Sequence, residues 1–394
     1  MRTASPTGIA PLEMVHNSVY LDPAVFALEQ ERLFGRVWNF VCHECELPAP
    51  GDYLAREVAG SPMVIVRDSQ GRLHALYNTC THRGCQVVEE GRGHRKTLLC
   101  PYHNWNFGLD GRLLGVPGLA ALEGTGFCKE AYGLRAARVE SVYGLVFVCQ
   151  DPAAPSLHEY LGPALVSLLA RPFAHSELEL MAYRRTELEV NWKTGAENAR
   201  DGYHVPNVHP FFKRASVPRP YHLHGCHAVQ ELAVRWDAID VELAQGMRDY
   251  PLPGLGPDDG YVAGLFPDTF ILVRSNFVFI ESQIPVAPEL TIIEDRGYGL
   301  RGDPPSVREQ RLRSWEVWAA NIARDEDFPV LRRQQRGLRS RQVTRAIIAR
   351  RAPAGGRALG QSNLGDDERL RAFWAHWRAY LDLEQNAAPG ATLD

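Results

Sequence analysis

The residues whose types and spacing could do chemistry fall in two places. The first is Asn191–Pro210, NWKTGAENARDGYHVPNVHP, with His204 and His209 five residues apart and Asp201 three residues before the first histidine. If this segment is helical, Asp201 and His204 share a face. Pro206 is expected to end that helix, because it lacks an N–H and pushes Val205 out of the α region. The chain can then bend and bring His209 beside His204. Two neutral imidazoles and a carboxylate from elsewhere make a facial triad, which leaves open positions on an iron(II) ion for O2 chemistry. By itself the pattern also suits ordinary surface or core histidines.

The second place is Cys80-Thr81-His82-Arg83-Gly84 together with Cys100-Pro101-Tyr102-His103-Asn104-Trp105. The pattern is C-x-H, a gap of 17 residues, then C-x-x-H. Two thiolates and two imidazoles suit a structural zinc ion. They also suit a two-iron cluster with both cysteines on one iron and both histidines on the other. Each half contributes one Cys and one His on a tight loop, so two loops can grip a cluster from opposite sides. Zinc modules usually pair C-x-x-C with a histidine pair instead. Both points favour the iron–sulfur reading. Neutral histidines lower the cluster's negative charge and so raise its potential.

These residues must be positioned by a chain of 394 residues, long enough for two ordinary domains. A hydrophobic content of 45% and a charged content of 23% are those of a globular protein. A formal net charge of −4 gives no reason to expect nucleic-acid binding or attraction to membranes. The start of the chain lacks a basic stretch followed by an apolar run, and runs such as Tyr143–Cys149 are too short to span a bilayer. A cytoplasmic protein is expected, in which eight cysteines point to metal or free thiols before disulfides.

Residues 22–38 read as an opening helix, with Asp22 as N-cap and Pro23 at the first helical position. From Trp38 to about Val148 short strands alternate with turn signals, and Arg67–Leu73 reads as a hairpin. DPAAP at 151–155 reads as a linker. Beyond it come a helix at 157–170, a strand region at 178–190, and an irregular stretch at 205–260. Strands follow at 268–274, 277–284 and 290–300, then helices at 304–323, 325–350 and 366–383. The fold class is α+β: a small all-β domain, then an antiparallel sheet with helices gathered on it. Phe266–Ile284 alternates apolar residues and should line the sheet above a metal, some of its side chains facing substrate.

The loops CTHRGC and CPYHNWNF resemble those of Rieske non-haem iron aromatic-ring-hydroxylating oxygenase large (α) subunits, and ENARDGYHVPNVHP resembles that family's mononuclear-iron motif. Both motifs stand in the family's order, and the likeness spans about residues 20–385. The resemblance implies a [2Fe-2S] cluster on Cys80, His82, Cys100 and His103, and mononuclear iron on His204 and His209. The family's third ligand maps best to Asp327 in Arg324-Asp325-Glu326-Asp327-Phe328, with Asp325 and Glu326 open as alternatives. Helix geometry alone does not choose between them, and acids at a helix start also complement its dipole. Asp201 is implied as the acid that bridges a cluster histidine and an iron histidine between neighbouring subunits of a homotrimer, orienting both rings.

The same resemblance implies domains at 1–36 (a helical segment packing on the catalytic domain), 37–150 (the cluster) and 151–394 (a helix-grip, Bet v 1/START-like catalytic domain). Expected partners are a reductase, with or without a ferredoxin, an optional small β subunit, and a small aromatic substrate. No G-x-G-x-x-G opens a βαβ unit, so NAD(P)H acts through the separate reductase. Ring dihydroxylation is the first expectation, monohydroxylation or demethylation the next. A non-catalytic electron carrier or a zinc-stabilised binding protein are the readings of another class.

Some signals stay outside these sites. Cys42, Cys45, Cys85, Cys128, Cys149 and Cys226 are left over: Cys42 and Cys45 read as buried or spectator thiols before a metal pair, and Cys85, inside a ligand loop, reads as structural. His222, His224 and His227 read as loop or pocket wall before metal. Arg332–Arg351, with eight arginines, reads as a solvated or intersubunit face, or as a docking surface for an acidic redox partner.

Overall fold

The computed structural model describes residues 13–174, 177–340, 342–348 and 367–382. They form two compact units, Phe34–Tyr160, and a second made of the segment up to Leu33 with everything from Leu161. The architecture is α+β.

Antiparallel pairing organises the first unit. A seven-stranded sheet runs in the order Asn39–His43, Leu145–Cys149, Ala136–Val142, Leu73–Tyr77, Ser61–Arg67, Asp52–Val58, Gly91–His94. Two-residue turns shape it. Ala59 and Gly60 both have positive φ (48° and 70°), the twist that a tight hairpin between right-twisted strands needs. The hairpin expected at Arg67–Leu73 is present, with Arg67 opposite Leu73. Its turn is held by Asp68, whose carboxylate accepts from the Gln70 and Arg72 N–H groups. In strand Ser61–Arg67 alternate residues feed two cores. Val64 and Val66 pack with Cys80, Cys100 and Trp105, while Met63 and Ile65 pack with Val41, Val146 and Val148. The cysteine loops are thus seated on a packed face. A smaller sheet, Leu98–Leu99, Asn106–Phe107 and Leu113–Gly115, carries the second loop.

A second antiparallel sheet of seven strands makes the other unit, in the order Leu178–Leu188, Leu290–Leu300, Phe277–Ala287, Thr269–Arg274, Gly260–Leu265, His227–Val234, Ser216–His224. Two of these strands correct the sequence reading. Residues 205–260 are not irregular: they hold the hairpin 216–234, turned at Gly225 (φ +58°), and a helix Val241–Asp249 capped by Asp240. His222, His224 and His227 sit on that hairpin. The Gly, Pro and His content masked a two-residue alternation that only pairing with Gly260–Leu265 makes productive. The helix expected at 325–350 also stops early, at Leu338, and Arg345–Ile348 is a strand paired with Glu13–His16. Arg341, Arg350 and Arg351 of the arginine run lie outside the described residues.

Asp22 caps the helix Pro23–Glu29 by accepting from the Ala24 N–H, as its sequence predicts. The helix ends on Glu29, which is fully buried and was invisible to pattern reading. Its carboxylate accepts from Lys193 Nζ (2.6 Å), Trp192 Nε1 (2.8 Å) and Trp377 Nε1 (2.7 Å). Three segments distant in sequence are thereby tied together. Removing the acid would strand the Lys193 ammonium in the core, at a cost of about 3–5 kcal/mol.

Candidate metal centres

The two cysteine–histidine loops have one backbone plan. In the first, the Gly84 N–H donates to the Cys80 carbonyl and the Cys80 N–H to the Cys85 carbonyl. In the second, Asn104 donates to Cys100 and Cys100 donates to Trp105. The fifth residue of each loop is left-handed, Gly84 at φ +72° and Asn104 at φ +55°. Glycine and asparagine are the residues that accept this conformation. The histidine is one position later in the second loop, which explains C-x-H against C-x-x-H.

The loops bring the His82 and His103 rings to 4.6 Å between centroids. His82 stacks on Trp105 at 4.8 Å and 5°. His82 Nδ1 is buried with no hydrogen-bond partner among the described residues. Burial and then the neighbouring His103 and Arg83 hold the His82 imidazole below its ordinary pKa, which favours its neutral form, the form that can donate to a metal. Cys80 and Cys100 are both buried. Among the described residues, the set of His, Cys, Asp and Glu donors that meets within 4.8 Å is in the other unit. In the first unit, two buried thiols and two imidazoles side by side are the donor types of a two-iron cluster with both cysteines on one iron and both histidines on the other.

That converging set is His204, His209 and Asp327. His204 Nε2 and His209 Nε2 are 3.0 Å apart, and Asp327 Oδ1 lies 3.2 Å from His209 Nε2 and 3.6 Å from His204 Nε2. Three donors at right angles, each about 2.1 Å from one ion, would stand about 3.0 Å apart. The residues fit an iron ion. Asp327 Oδ1 is buried and, apart from the two imidazole nitrogens it faces, meets no donor among the described residues.

The local backbone differs from the sequence reading. Helix Trp192–Asn198 ends before Asp201, so Asp201 and His204 are not on one helix face. Pro206 does not end a helix but lies in the first turn of a short one, Val205–Val208, for which His204 is the N-cap. His209 then stands at the N-cap position of Pro210–Ala215, whose first residue is proline. Two successive helix starts turn both imidazoles to one side. Asp201 Oδ2 stands 3.4 Å from His204 Nδ1, long for a hydrogen bond. Its other oxygen accepts from the Tyr203 N–H at 2.7 Å.

The three acids at 325–327 go three ways. Asp325 is exposed and paired with Arg324. Glu326 Oε2 is 2.7 Å from His209 Nδ1. Asp327 faces both imidazoles. The chain reaches them through two π-helical turns, Glu316–Ala320 and Ile322–Asp327, between helices Pro305–Trp315 and Phe328–Leu338. Such wider turns often occur at functional sites. Burial lowers the His209 pKa, but Asp327 and Glu326 outweigh it and hold the ring above its ordinary value.

These donors stand on a cavity of about 130 Å³. Its sheet wall is the alternating face foreseen for Phe266–Ile284: Phe270, Leu272 and Phe279, joined by Ile293, with Trp318 and Leu331 from the helices opposite. Glu281 and Gln283 share that face and escaped the sequence reading. The signal was there: the polar run Glu281-Ser282-Gln283 interrupts the otherwise apolar FVFIESQIPVA, and its first and third residues share one face. Behind the metal donors, burial pushes the Glu197 carboxyl up to about 7, although it accepts from Tyr20 Oη and Trp374 Nε1, each at 2.8 Å.

Comparison with known proteins agrees. Residues 37–126 match the Rieske [2Fe-2S] domain and 175–383 the ring hydroxylating alpha subunit catalytic domain. The chain is 32% identical to the 2-aminobenzenesulfonate 2,3-dioxygenase subunit alpha of Alcaligenes sp, over 97% of each. It is 30% identical to the anthranilate 1,2-dioxygenase large subunit of Burkholderia cepacia, over 92% of each. Its structure is similar to that of the quaternary ammonium Rieske monooxygenase CntA, with a TM-score of 0.77, 27% identity, and coverage of 93% of this chain and 95% of the other. Among the described residues no helix is long and apolar enough to cross a membrane. With two cysteine–histidine loops in one unit, a two-histidine, one-carboxylate cluster in the other, and these likenesses along nearly its whole length, the chain belongs to the Rieske non-haem iron oxygenases as a ring-hydroxylating alpha subunit.

Proposed function

We propose that this oxygenase subunit uses O2 to cis-dihydroxylate a single-ring aromatic compound that carries an amino or acidic group. The observation that carries the reading is the meeting of His204, His209 and Asp327 on an apolar cavity of about 130 Å³. A space of roughly 150 Å³ holds one benzene ring, so the size favours one ring over two. The relatives of similar length named for aminobenzenesulfonate and anthranilate dioxygenation support the substrate class and the reaction.

When bound, the mononuclear iron supplies O2 activation at the positions its ligands leave open, and the [2Fe-2S] cluster supplies single electrons. His204, His209 and Asp327 hold the iron, while Cys80, Cys100, His82 and His103 hold the cluster. Glu326 fixes the His209 ring and raises its basicity as a donor. Phe270, Phe279 and Trp318 position the ring and exclude water. Asp201 sits against His204 Nδ1 and, in a homotrimer, joins that ring to His82 or His103 of a neighbouring subunit. The electrons come from NAD(P)H through a separate reductase, with or without a ferredoxin. A small β subunit is compatible with this assembly.

A second reading is monooxygenation, with or without demethylation; the likeness to CntA, a quaternary ammonium monooxygenase, favours the monooxygenation. One experiment separates the two. The purified protein is supplied with a surrogate reductase, NADH and 18O2 and offered single-ring aromatic acids and amines. Coupled O2 uptake with two labelled oxygens in the product is expected. One labelled oxygen, or release of formaldehyde, would establish the second reading. No coupled uptake with any aromatic would overturn both the aromatic class and the dihydroxylation.

A further inference from the structure

One cross-strand row that reaches the cavity wall carries two acids with no part in the chemistry above. Arg184, Asp295, Glu281 and Phe270 stand opposite one another on four adjacent strands. Arg184 donates to Asp295 Oδ2 from Nε at 2.8 Å and from Nη2 at 2.5 Å, and Nη2 also donates to the Ala320 carbonyl. The guanidinium is committed to Asp295. Glu281, the next acid in the row and the one that lines the cavity, has no ion pair among the described residues. Burial, and then the Asp295 charge, push its carboxyl up to about 8.

Two residues on, and so on the same face, Gln283 donates from Nε2 to Glu281 Oε1 at 2.9 Å. With Glu281 as the carboxylate, the state that a bound amine favours, that contact assigns the sense of the amide. Nε2 faces the carboxyl, and the Gln283 Oε1 is turned away from it. This oxygen is buried and meets no donor among the described residues. It lies over Gly195, where a Cβ would stand 2.8 Å from it. Gly195 lines the cavity as well. Buried acceptors are nearly always satisfied, by protein, water or ligand. The other carboxamide on this wall is already engaged, since Gln230 Oε1 accepts from Arg369 Nη1 at 2.9 Å.

We propose that Glu281 and Gln283 determine specificity by receiving an amino nitrogen of the substrate, whose N–H groups donate to Gln283 Oε1 and to the Glu281 oxygen not used by Gln283. An ammonium group would bring the cation that the row lacks. A neutral aryl amine brings the same donors without the charge. The inference rests on the reading of this cavity as the oxygenase's substrate site.

The test is equilibrium binding of five probes to the intact protein, loaded with both metals and kept anaerobic. Aniline is compared with toluene, benzylamine with ethylbenzene, and cyclohexylamine serves as a non-aromatic amine. In the wild type each aromatic amine is expected to bind at least about 10-fold tighter than its hydrocarbon partner, the worth of one to two net hydrogen bonds. Glu281→Met and Gln283→Met, close in shape and without acceptors, bring both ratios towards one while the hydrocarbons still bind. Glu281→Gln keeps an acceptor but no charge, so it lowers the benzylamine ratio and spares that of aniline. Toluene binding as tightly as aniline in the wild type, where no variant is involved, would overturn the proposal. So would ratios unchanged in both methionine variants. Cyclohexylamine binding as well as aniline would uphold the amine subsite and overturn the aromatic reading. Failure of all five probes to bind would overturn both.

Discussion

His209 is held from behind by Glu326: its Nδ1 stands 2.7 Å from Glu326 Oε2, while its Nε2 faces His204 and Asp327. A carboxylate in that position sets the ring's orientation and tautomer and strengthens the other nitrogen as a donor. Neighbouring acids in one short run therefore stand in three different surroundings: Asp325 on Arg324, Glu326 on His209 Nδ1, and Asp327 before both imidazoles.

Glu326→Ala is expected to lower affinity for mononuclear iron by about 10–100-fold. Asp327→Ala removes a direct donor and should leave no stoichiometric mononuclear iron. Asp325→Ala, which loses only an exposed pair with Arg324, should leave the iron content unchanged. Metal analysis after dialysis checks all three, with the cluster's visible absorption as internal control. Iron loss in Asp325→Ala equal to that in Asp327→Ala would refute the division of roles.

Asp201 lies beside His204 without reaching the metal-facing nitrogen. Asp201→Asn should keep both metals and slow reoxidation of the reduced cluster by up to ~10²-fold, the upper end of what losing an orienting partner costs. Rapid-mixing absorbance of the pre-reduced enzyme with O2 and substrate gives the rate. An unchanged rate with both metals present would remove Asp201 from the electron path.

The left-handed loop residues give a stability prediction. At Gly84 a Cβ would meet nothing within 4 Å, so a substitution there reads backbone strain alone. Gly84→Ala should destabilise the cluster unit by about 1–2 kcal/mol. Gly84→Asn, the residue type at the matching position 104, should cost less than alanine. Thermal melting followed at the cluster's absorption checks the order. Alanine and asparagine variants of equal stability would contradict the matched-loop reading.

Glu197 predicts a pH effect. Burial raises its carboxyl from 4.5 to about 7, against the hydrogen bonds from Tyr20 and Trp374 and the charge of Lys193. The folded state thus keeps a proton that the unfolded chain releases above pH 4.5. Its contribution is fully present below that value and is lost as pH rises through about 7, by at most about 3 kcal/mol. Glu197→Gln cannot ionise. Its stability relative to wild type should therefore rise between pH 5 and 8 and level off above that. Denaturant melts across this range test it, and a difference that stays flat with pH would show that Glu197 does not titrate there.

Much of the chemistry is written in short, contiguous patterns. Cys80, His82, Cys100 and His103 stand out in the sequence by their close spacing, and the structure seats them on two tight loops of one backbone plan. The capped start at Asp22-Pro23 and the turn at Asp68–Arg72 are legible because capping and turn geometry act over a few residues. The antiparallel strands from Thr269 to Leu300 show in their short runs rich in aromatic and β-branched residues, Phe270–Val273 and Phe277–Ile280 among them.

What depends on distant pairing is not legible. Whether 216–234 is loop or hairpin depends on a neighbouring strand, Gly260–Leu265, to receive its hydrogen bonds. Which of Asp325, Glu326 and Asp327 faces the imidazoles depends on π-helical turns that shift the angular phase of each side chain. Pro206 forbids helix before it and favours helix after it with the same ring, and the packing around His204 selects the second. Glu29 and Glu281 look like ordinary acids in the sequence. Their meaning comes from being buried, where a charge must find its partner in another element.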